Sequence, residues 1–189
     1  NLSMLYSETN RPDKAELELR EALRIIEASS VNPDEDIDVA SSHTNLALTL
    51  LTEHKLEGAH WHAAKALDIY KTGHLEHSAH YASALAGYAQ VCFAEKRYAD
   101  AVAGYRHALD VIEECYDKDT DYWRITEDNL RQAESQAQAA GIDIVPNDTT
   151  DATTASAQEA TNAGTSCQNS TDAPVMPTAL VSDSAATAT

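Results

Sequence analysis

Basic residues are scarce in this sequence of 189 residues, which has 13 Lys and Arg against 31 Asp and Glu and a formal charge of −18. Binding to nucleic acid or to an anionic membrane requires clustered positive charge that neutralises phosphate. The deficit therefore excludes both as the leading hypothesis. Long apolar runs are missing too, since the run from Leu46 to Leu51 is far shorter than the ~18 residues that a membrane-spanning helix needs.

The sequence has only three cysteines, an odd number. Cys92, Cys115 and Cys167 are spaced so that they form no CxxC pair. This pattern indicates neither a disulfide framework nor a zinc site. We therefore expect a reducing compartment and predict a cytoplasmic location. The sequence also lacks the GxGxxG, phosphate-loop, HExxH and GxSxG patterns of common enzymes. We expect no catalytic residues, no metal and no cofactor.

Residues 143–189 lack Lys, Arg, Phe, Tyr and Trp, and 25 of these 47 residues are Ala, Ser or Thr. All six charges in the segment are acidic. Such a composition buries too little apolar surface to offset the entropy lost on ordering, so it predicts a disordered acidic tail. The tail contains one short apolar island, Pro174 to Pro177 with Leu180 and Val181. This island has the composition to fold onto a partner or back into the rest of the chain.

Three stretches of the first 142 residues align without gaps at spacings of 44 and 42 residues: Asn1 to Ile25, Asn45 to Ile69, and Gly87 to Val111. Self-similarity at such a period is typical of stacked repeats. Small residues recur at fixed positions, as they must where two helices cross closely. These columns are Ala47 with Ala89; Ala15, Ala59 and Ala101; and Ala22, Ala66 and Ala108.

Each unit has the pattern of two helices joined by a short turn. Apolar residues recur at helical spacing in the first helix of a unit, for example at Leu85, Tyr88 and Cys92. The second helices are predicted over about 12–28, 56–70 and 98–115. Because only three or four residues connect the two helices of a unit, the helices must pack antiparallel.

These small-residue columns resemble the tetratricopeptide repeat, and the 42-residue spacing with the start Asn45-Leu46-Ala47 resembles the longer variety of kinesin light chains. The resemblance covers about 1–140. It implies an all-α fold, a right-handed superhelical stack of antiparallel helix pairs. The family's turn glycine is replaced by Asn10, His54 and Lys96. Asn10 tolerates a positive φ, but we do not expect a glycine-type turn at His54 or Lys96.

We predict a helical-repeat domain over 1–142 and a disordered tail over 143–189. The domain divides into a partial repeat at 1–30, repeats at 36–71 and 77–116, and a capping helix at 119–140. Arg131 occupies the small-residue position in the last helix, so no further helix is expected to pack there. A repeat array needs such a cap to cover its last apolar face. No cap is visible before the first unit, and we expect upstream repeats in the parent chain.

Two groups of titratable residues invite a metal hypothesis. His60 and His62 point to different sides of a helix, whereas His77 and His80 share a face. Glu76 or His74 could join the second pair, but solvated histidines are the preferred interpretation. The acidic runs 34–36 and 117–121 precede helices, where carboxylates cap free N–H groups and are favoured by the helix dipole. We therefore predict that they are caps and not cation sites.

The first helix of each pair lines the concave groove of a tetratricopeptide-like stack. Polar residues there suit the main chain of an extended peptide, because a side-chain amide donates and accepts at once. No predicted groove position is Lys or Arg, so an acidic C-terminal peptide is not the expected ligand. A neutral, basic or partly apolar peptide is preferred. The predicted groove residues are Asn1, Met4, Ser41, Thr44, Asn45, Leu48, Gln90, Asn129 and Gln132.

The sequence thus predicts a protein-interaction scaffold that binds a protein or an extended peptide and performs no catalysis. An alternative is that the chain is the repeat or sensor portion of a larger signalling or transcriptional regulator whose activity lies upstream of residue 1. A third interpretation is that the concave face contacts other parts of the same protein.

Overall fold

The computed structural model describes residues 12–116, 120–144 and 180. These residues form six α-helices and one short 3₁₀ turn at Pro33–Glu35, and they contain no strand. The prediction of an all-α fold is confirmed. The helices are α1 (Pro12–Ser29), α2 (Ile37–Thr52), α3 (Leu56–Thr72), α4 (Ala79–Ala94), α5 (Tyr98–Cys115) and α6 (Asp121–Ala139).

The helices pack as successive neighbours. The most extensive interfaces join α2 to α3 and α4 to α5, which are the two helices of one predicted unit in each case. Helices α3 and α4 pack together between units, and α2 also contacts α4, the first helix of the next unit. Helix α6 packs against α5 at the end of the stack. This arrangement is that of a helical solenoid.

Polar side chains cap the N-termini of α2, α4 and α6. Asp36 accepts from the backbone N–H groups of Asp38 and Val39 at 2.8 and 3.4 Å. The Ser78 and Thr120 hydroxyls accept from backbone N–H groups of α4 and α6, each at 3.2 Å. A hydrogen bond from the Ser30 hydroxyl and the two backbone bonds lower the pKa of Asp36. The first acidic run therefore caps a helix, as predicted, while 117–119 lie outside the described residues.

The small-residue columns form the centre of the core. Ala47, Ala89, Ala15, Ala59, Ala101, Ala66 and Ala108 are all at most 1% exposed. Alanine at these positions lets the helix axes approach closely. Ala22 is the exception, since it is exposed. In the same region of α1, Leu17 is 68% and Ile25 is 53% exposed.

Three helix ends have left-handed turns without glycine. His54, His74 and Lys96 have φ values of 59°, 54° and 62°. At the end of α2 the N–H of His54 donates to the Leu51 carbonyl at 3.0 Å and the next N–H donates to the Leu50 carbonyl at 2.9 Å, which is the Schellman arrangement. The expectation that His54 and Lys96 lack a glycine-type turn is wrong. The hydrogen bonds hold the turn, and both side chains are exposed.

Aromatic residues mostly pack as expected. Tyr70, Tyr81 and Tyr105 are at most 1% exposed, and the rings of Tyr70 and Tyr81 meet edge to face at 5.8 Å. Trp61 departs from this pattern, because it is 58% exposed. None of the helices in the described ranges combines the length and apolar content required to cross a lipid bilayer.

Candidate functional site

Helix α2 presents the more open part of the predicted groove. Asn45 and Leu48 are half-buried, and Thr52 is exposed. Ser41 is committed elsewhere, because its hydroxyl lies 3.0 Å from the Tyr70 hydroxyl of α3. The Thr44 hydroxyl donates to the Ala40 carbonyl of its own helix at 3.1 Å. Asn45 and Leu48 are therefore the described side chains of α2 best placed to contact a ligand.

The α2 and α4 helices meet at Gly87. A Cβ atom built on Gly87 would lie 3.5 Å from Leu48 Cδ2 and 3.8 Å from Thr44 Cγ2. These are ordinary van der Waals contacts, so the glycine leaves room for Leu48 to lie against the α4 backbone without compression. Thr44, at 5% exposed, belongs to the same contact. The apolar side of this part of the groove is thus already supported by the neighbouring unit.

Polar residues of α4 and α6 at the groove positions are almost fully covered. Ser83, Gln90 and Asn129 are 5%, 2% and 1% exposed. Gln132, one turn after Asn129, is half-buried. Asn45 and Asn129 occupy the same phase of the repeat, 84 residues apart. The same residue type is therefore accessible in one unit and enclosed in another.

Asn129 binds the main chain of a distant segment. The Leu180 N–H donates to Asn129 Oδ1 at 2.9 Å, across 51 residues of sequence. The Leu180 side chain is partly buried and packs against the hydrophobic core. Asn129 thus accepts a main-chain N–H from elsewhere in the same chain, while the role of these amides in binding a separate peptide stays a prediction. Asn1 and Met4, the other predicted members, lie outside the described residues.

A buried histidine pair joins α2 to α3 beneath Trp61. The Nδ1 atoms of His43 and His62 lie 2.8 Å apart, so one of them carries the proton and the other accepts it. The two side chains are 2% and 7% exposed. Burial lowers the pKa of each histidine to about 4. Both rings are therefore neutral at physiological pH, and the pair serves as a structural contact.

His60 points away from this pair, as the two-residue spacing predicts. It lies in a cluster with Cys92 and Glu95 whose potential ligand atoms are all within 4.8 Å of one another. His60 Nδ1 is 3.0 Å from Glu95 Oε2, and Arg97 lies 3.4 Å from both groups. Burial raises the pKa of the Cys92 thiol to about 11. A neutral thiol beside a fixed guanidinium favours an ion-pair network over metal binding.

Sequence analysis missed this cluster, because its members are up to 35 residues apart and belong to two helix pairs. The repeat alignment alone could have placed α3 against the end of α4. His77, which the sequence paired with His80, lies 2.8 Å from Glu114 Oε2 on α5. The carboxylate partner of His60 thus follows the first helix of the next pair, and the carboxylate partner of His77 lies in the second helix of the pair that begins after His77.

The cysteines differ from expectation in one respect. Cys92 is free and fully buried, as predicted. Cys115 is disulfide-bonded, with a partner outside the described residues. The inference that the odd number indicates no disulfide is wrong, because two of three cysteines can pair and leave the third reduced. The bond also removes the cysteine argument for a reducing compartment.

Comparison with known proteins supports the fold. The chain is similar to the crystal structure of BtubC (BKLC) from P. vanneervenii, with a TM-score of 0.62 and 22% sequence identity over 84% of this chain and 68% of that chain. No family model matches the chain, and no curated protein matches it. The structural likeness supports the helical-repeat fold. The assignment to the tetratricopeptide repeat, and to its 42-residue kinesin-light-chain variety, stays a prediction.

Proposed function

We propose that this chain is a protein-interaction module that binds an extended peptide along the first helices of its repeats. The observation that carries the proposal is the contact at Asn129, where a groove amide accepts a main-chain N–H at 2.9 Å. Asn45 has the same amide at the same phase of the repeat and is only half-buried. It is therefore the described groove asparagine that is open to a ligand from another molecule.

The character of the ligand follows from charge. None of the described groove positions is Lys or Arg, and the whole chain carries a formal charge of −18. An acidic peptide would meet like charge without a cationic partner. Leu48 supplies an apolar contact beside Asn45. We therefore propose a neutral, basic or partly apolar peptide, and no nucleic acid, membrane or acidic C-terminal peptide.

We propose that binding is the whole activity of the described domain and that it performs no catalysis. Among the described residues, His60, Cys92 and Glu95 are of the types that bind metal, but the guanidinium of Arg97 lies beside them and its positive charge disfavours a cation there.

The predicted domain limits, 1–142 and 143–189, also stay a proposal. So does the cytoplasmic location, against which the disulfide at Cys115 argues.

A peptide library displayed on phage and selected against the full chain tests the proposal. Selected ligands should be uncharged or basic and should contain an apolar residue. Replacing Asn45 by Ala removes one amide pair and should weaken such a ligand about ten-fold, as isothermal titration calorimetry would measure. Leu48→Asp should have at least the same effect. Lys71→Ala, at an exposed position of α3, is the matched control and should leave the affinity unchanged.

The outcomes are distinct. A selection that yields mainly acidic sequences would contradict the proposed ligand class. Ligands that bind the Asn45→Ala and Leu48→Asp variants as tightly as the natural sequence would place the binding surface elsewhere. Failure to enrich any sequence over several rounds would count against the binding role itself.

A further inference from the structure

Leu180 reaches the predicted groove from a part of the chain that the repeat does not include. Its N–H bonds to Asn129 Oδ1 at 2.9 Å, and its side chain packs partly buried against the core. The main chain and the side chain of one residue are thus both engaged. A main-chain bond to an amide combined with an apolar anchor is a recognised mode of holding an extended peptide.

The burial of the groove agrees with occupation at this end. Ser83, Gln90 and Asn129 are at most 5% exposed, although each is polar and lies on the face that the repeat phase assigns to the groove. Asn45, the in-phase counterpart of Asn129, is half-buried. Polar groups are rarely enclosed without partners, because desolvation is costly unless a hydrogen bond compensates it. Asn129 is the member of this set that Leu180 contacts, whereas Ser83 hydrogen-bonds Tyr122 of α6.

The sequence around Leu180 has the chemistry that this surface accepts. Residues 173–182 carry no charge, and they contain the only cluster of large apolar residues after residue 145. Acidic residues flank the segment at Asp172 and Asp183. An uncharged segment avoids the repulsion that the rest of the acidic tail would meet on this chain. Two prolines, Pro174 and Pro177, lower the entropy that the segment loses on binding.

The chain between the end of α6 and Leu180 is long enough for Leu180 to reach Asn129. Ile144 and Leu180 are separated by 35 residues, which span roughly 100 Å when extended. Reach is therefore not limiting, and an attached segment competes at an effective concentration of about a millimolar.

We propose that the surface of α4 and α6 around Asn129 is a subsite for an uncharged extended peptide, and that Leu180 of the same chain occupies this subsite as an internal ligand. Leu180 occupies the Asn129 end of the groove, whereas Asn45 at the other end is half-buried and open to a ligand. A partner that requires the whole groove must displace Leu180. This regulation rests on the proposed function, whereas the docking itself does not.

Hydrogen exchange of the free, full-length protein tests the docking without any partner. The Leu180 amide should exchange at least about ten-fold more slowly than amides of 150–165. Leu180→Asp removes the apolar anchor at a position outside the repeats and should abolish that protection for the segment. Asn129→Ala should do the same, whereas the matched Asn45→Ala should not. Equal exchange at Leu180 and at 150–165 in the natural chain would overturn the proposal.

A second measurement uses a labelled peptide with the sequence of residues 172–183. Added to the Leu180→Asp protein, it should bind about ten-fold or more tightly than to the natural chain, where the attached segment competes. The same peptide with Asp in place of its Leu should not bind either protein. Equal affinity for both proteins would overturn the proposal. Failure of a phage selection would leave both of these readouts intact, so the two proposals fail separately.

Discussion

The second and third helix pairs share one frame but differ at the helix crossing. In the pair α2 and α3, His43 and His62 meet through a buried hydrogen bond of 2.8 Å. Counting 42 residues forward, the same positions in α4 and α5 are Leu85 and Gly104. A Cβ atom on Gly104 would lie 3.0 Å from Ala89 Cβ. One crossing is thus polar and filled by two rings, and the other is apolar and depends on the absence of a side chain.

The two pairs also differ in how far the polar side chains of the predicted groove are exposed. The second pair leaves Asn45 accessible, whereas the third pair and α6 enclose Gln90 and Asn129. The comparison indicates that a repeat frame constrains the alanine columns and leaves the remaining positions free to acquire separate properties. In this chain, those properties are a buried histidine pair at the crossing of one unit and, beside the next, the enclosed Asn129 that we propose as a peptide subsite.

The largest effect is expected from acid on the histidine crossing. The pKa of each histidine is about 4 in the folded chain, against 6.5 ordinarily. Between pH 6.5 and 4 the unfolded chain binds protons that the folded chain does not, so the free energy of unfolding falls as the pH is lowered through this window. The loss should approach about 3 kcal/mol for each histidine. Urea unfolding at a series of pH values measures it.

The double variant His43→Leu with His62→Gly copies the third unit and should flatten the pH dependence between 6.5 and 4. Its absolute stability is not the readout, because the replacement also changes packing. His77→Gln, at a largely exposed histidine, is the control and should retain the natural slope. A double variant with an unchanged slope between pH 6.5 and 4 would show that the two histidines do not cause the acid response in this window.

The next effect concerns the apolar crossing. Gly104→Leu would force a side chain into the 3.0 Å approach to Ala89 and should destabilise the chain by about 1–3 kcal/mol. Ala103→Leu, on the exposed side of the same helix, should change the stability by less than about 0.5 kcal/mol. Chemical denaturation of both variants measures the two changes in the free energy of unfolding. Similar denaturation midpoints would mean that α4 and α5 can separate without cost at this point.

The alanine columns explain why the fold could be predicted from sequence. Close crossing tolerates only small residues, so Ala59 and Ala101 repeat in phase and are both fully buried. The second helices begin where the pattern indicates, at Pro12, Leu56 and Tyr98. The last helix was also predicted over 119–140, and α6 spans Asp121–Ala139, while its role as a cap stays a prediction. Each of these signals is local to one segment or repeats at a fixed spacing.

The candidate site was less accessible to prediction. Asn129 could be placed on the groove face by its phase, and the island around Leu180 could be recognised by its composition. Their contact could not be derived, because they lie 51 positions apart and the sequence after residue 142 has no periodic pattern that would set a register. The His43–His62 bond and the network around Arg97 were missed for a different reason. They join positions in different helices whose rotation about the helix axis the periodicity does not define closely enough.

The smallest effect is expected at the helix-end turns, and it should be the same in both units. Equal effects there would mean that the units differ at the helix crossing and in the groove but not at the turns. His54 and Lys96 hold equivalent helix-end turns with φ values of 59° and 62°. A left-handed conformation costs a residue with a side chain about 1 kcal/mol relative to glycine. Glycine loses more entropy on folding, which offsets part of this gain. His54→Gly and Lys96→Gly should therefore each stabilise the chain by about 0.5–1 kcal/mol. Thermal unfolding would measure both, with Lys71→Gly, inside α3, as a control that should be destabilising. Unequal gains at the two turns would show that the units also differ where the sequence and the backbone make them alike.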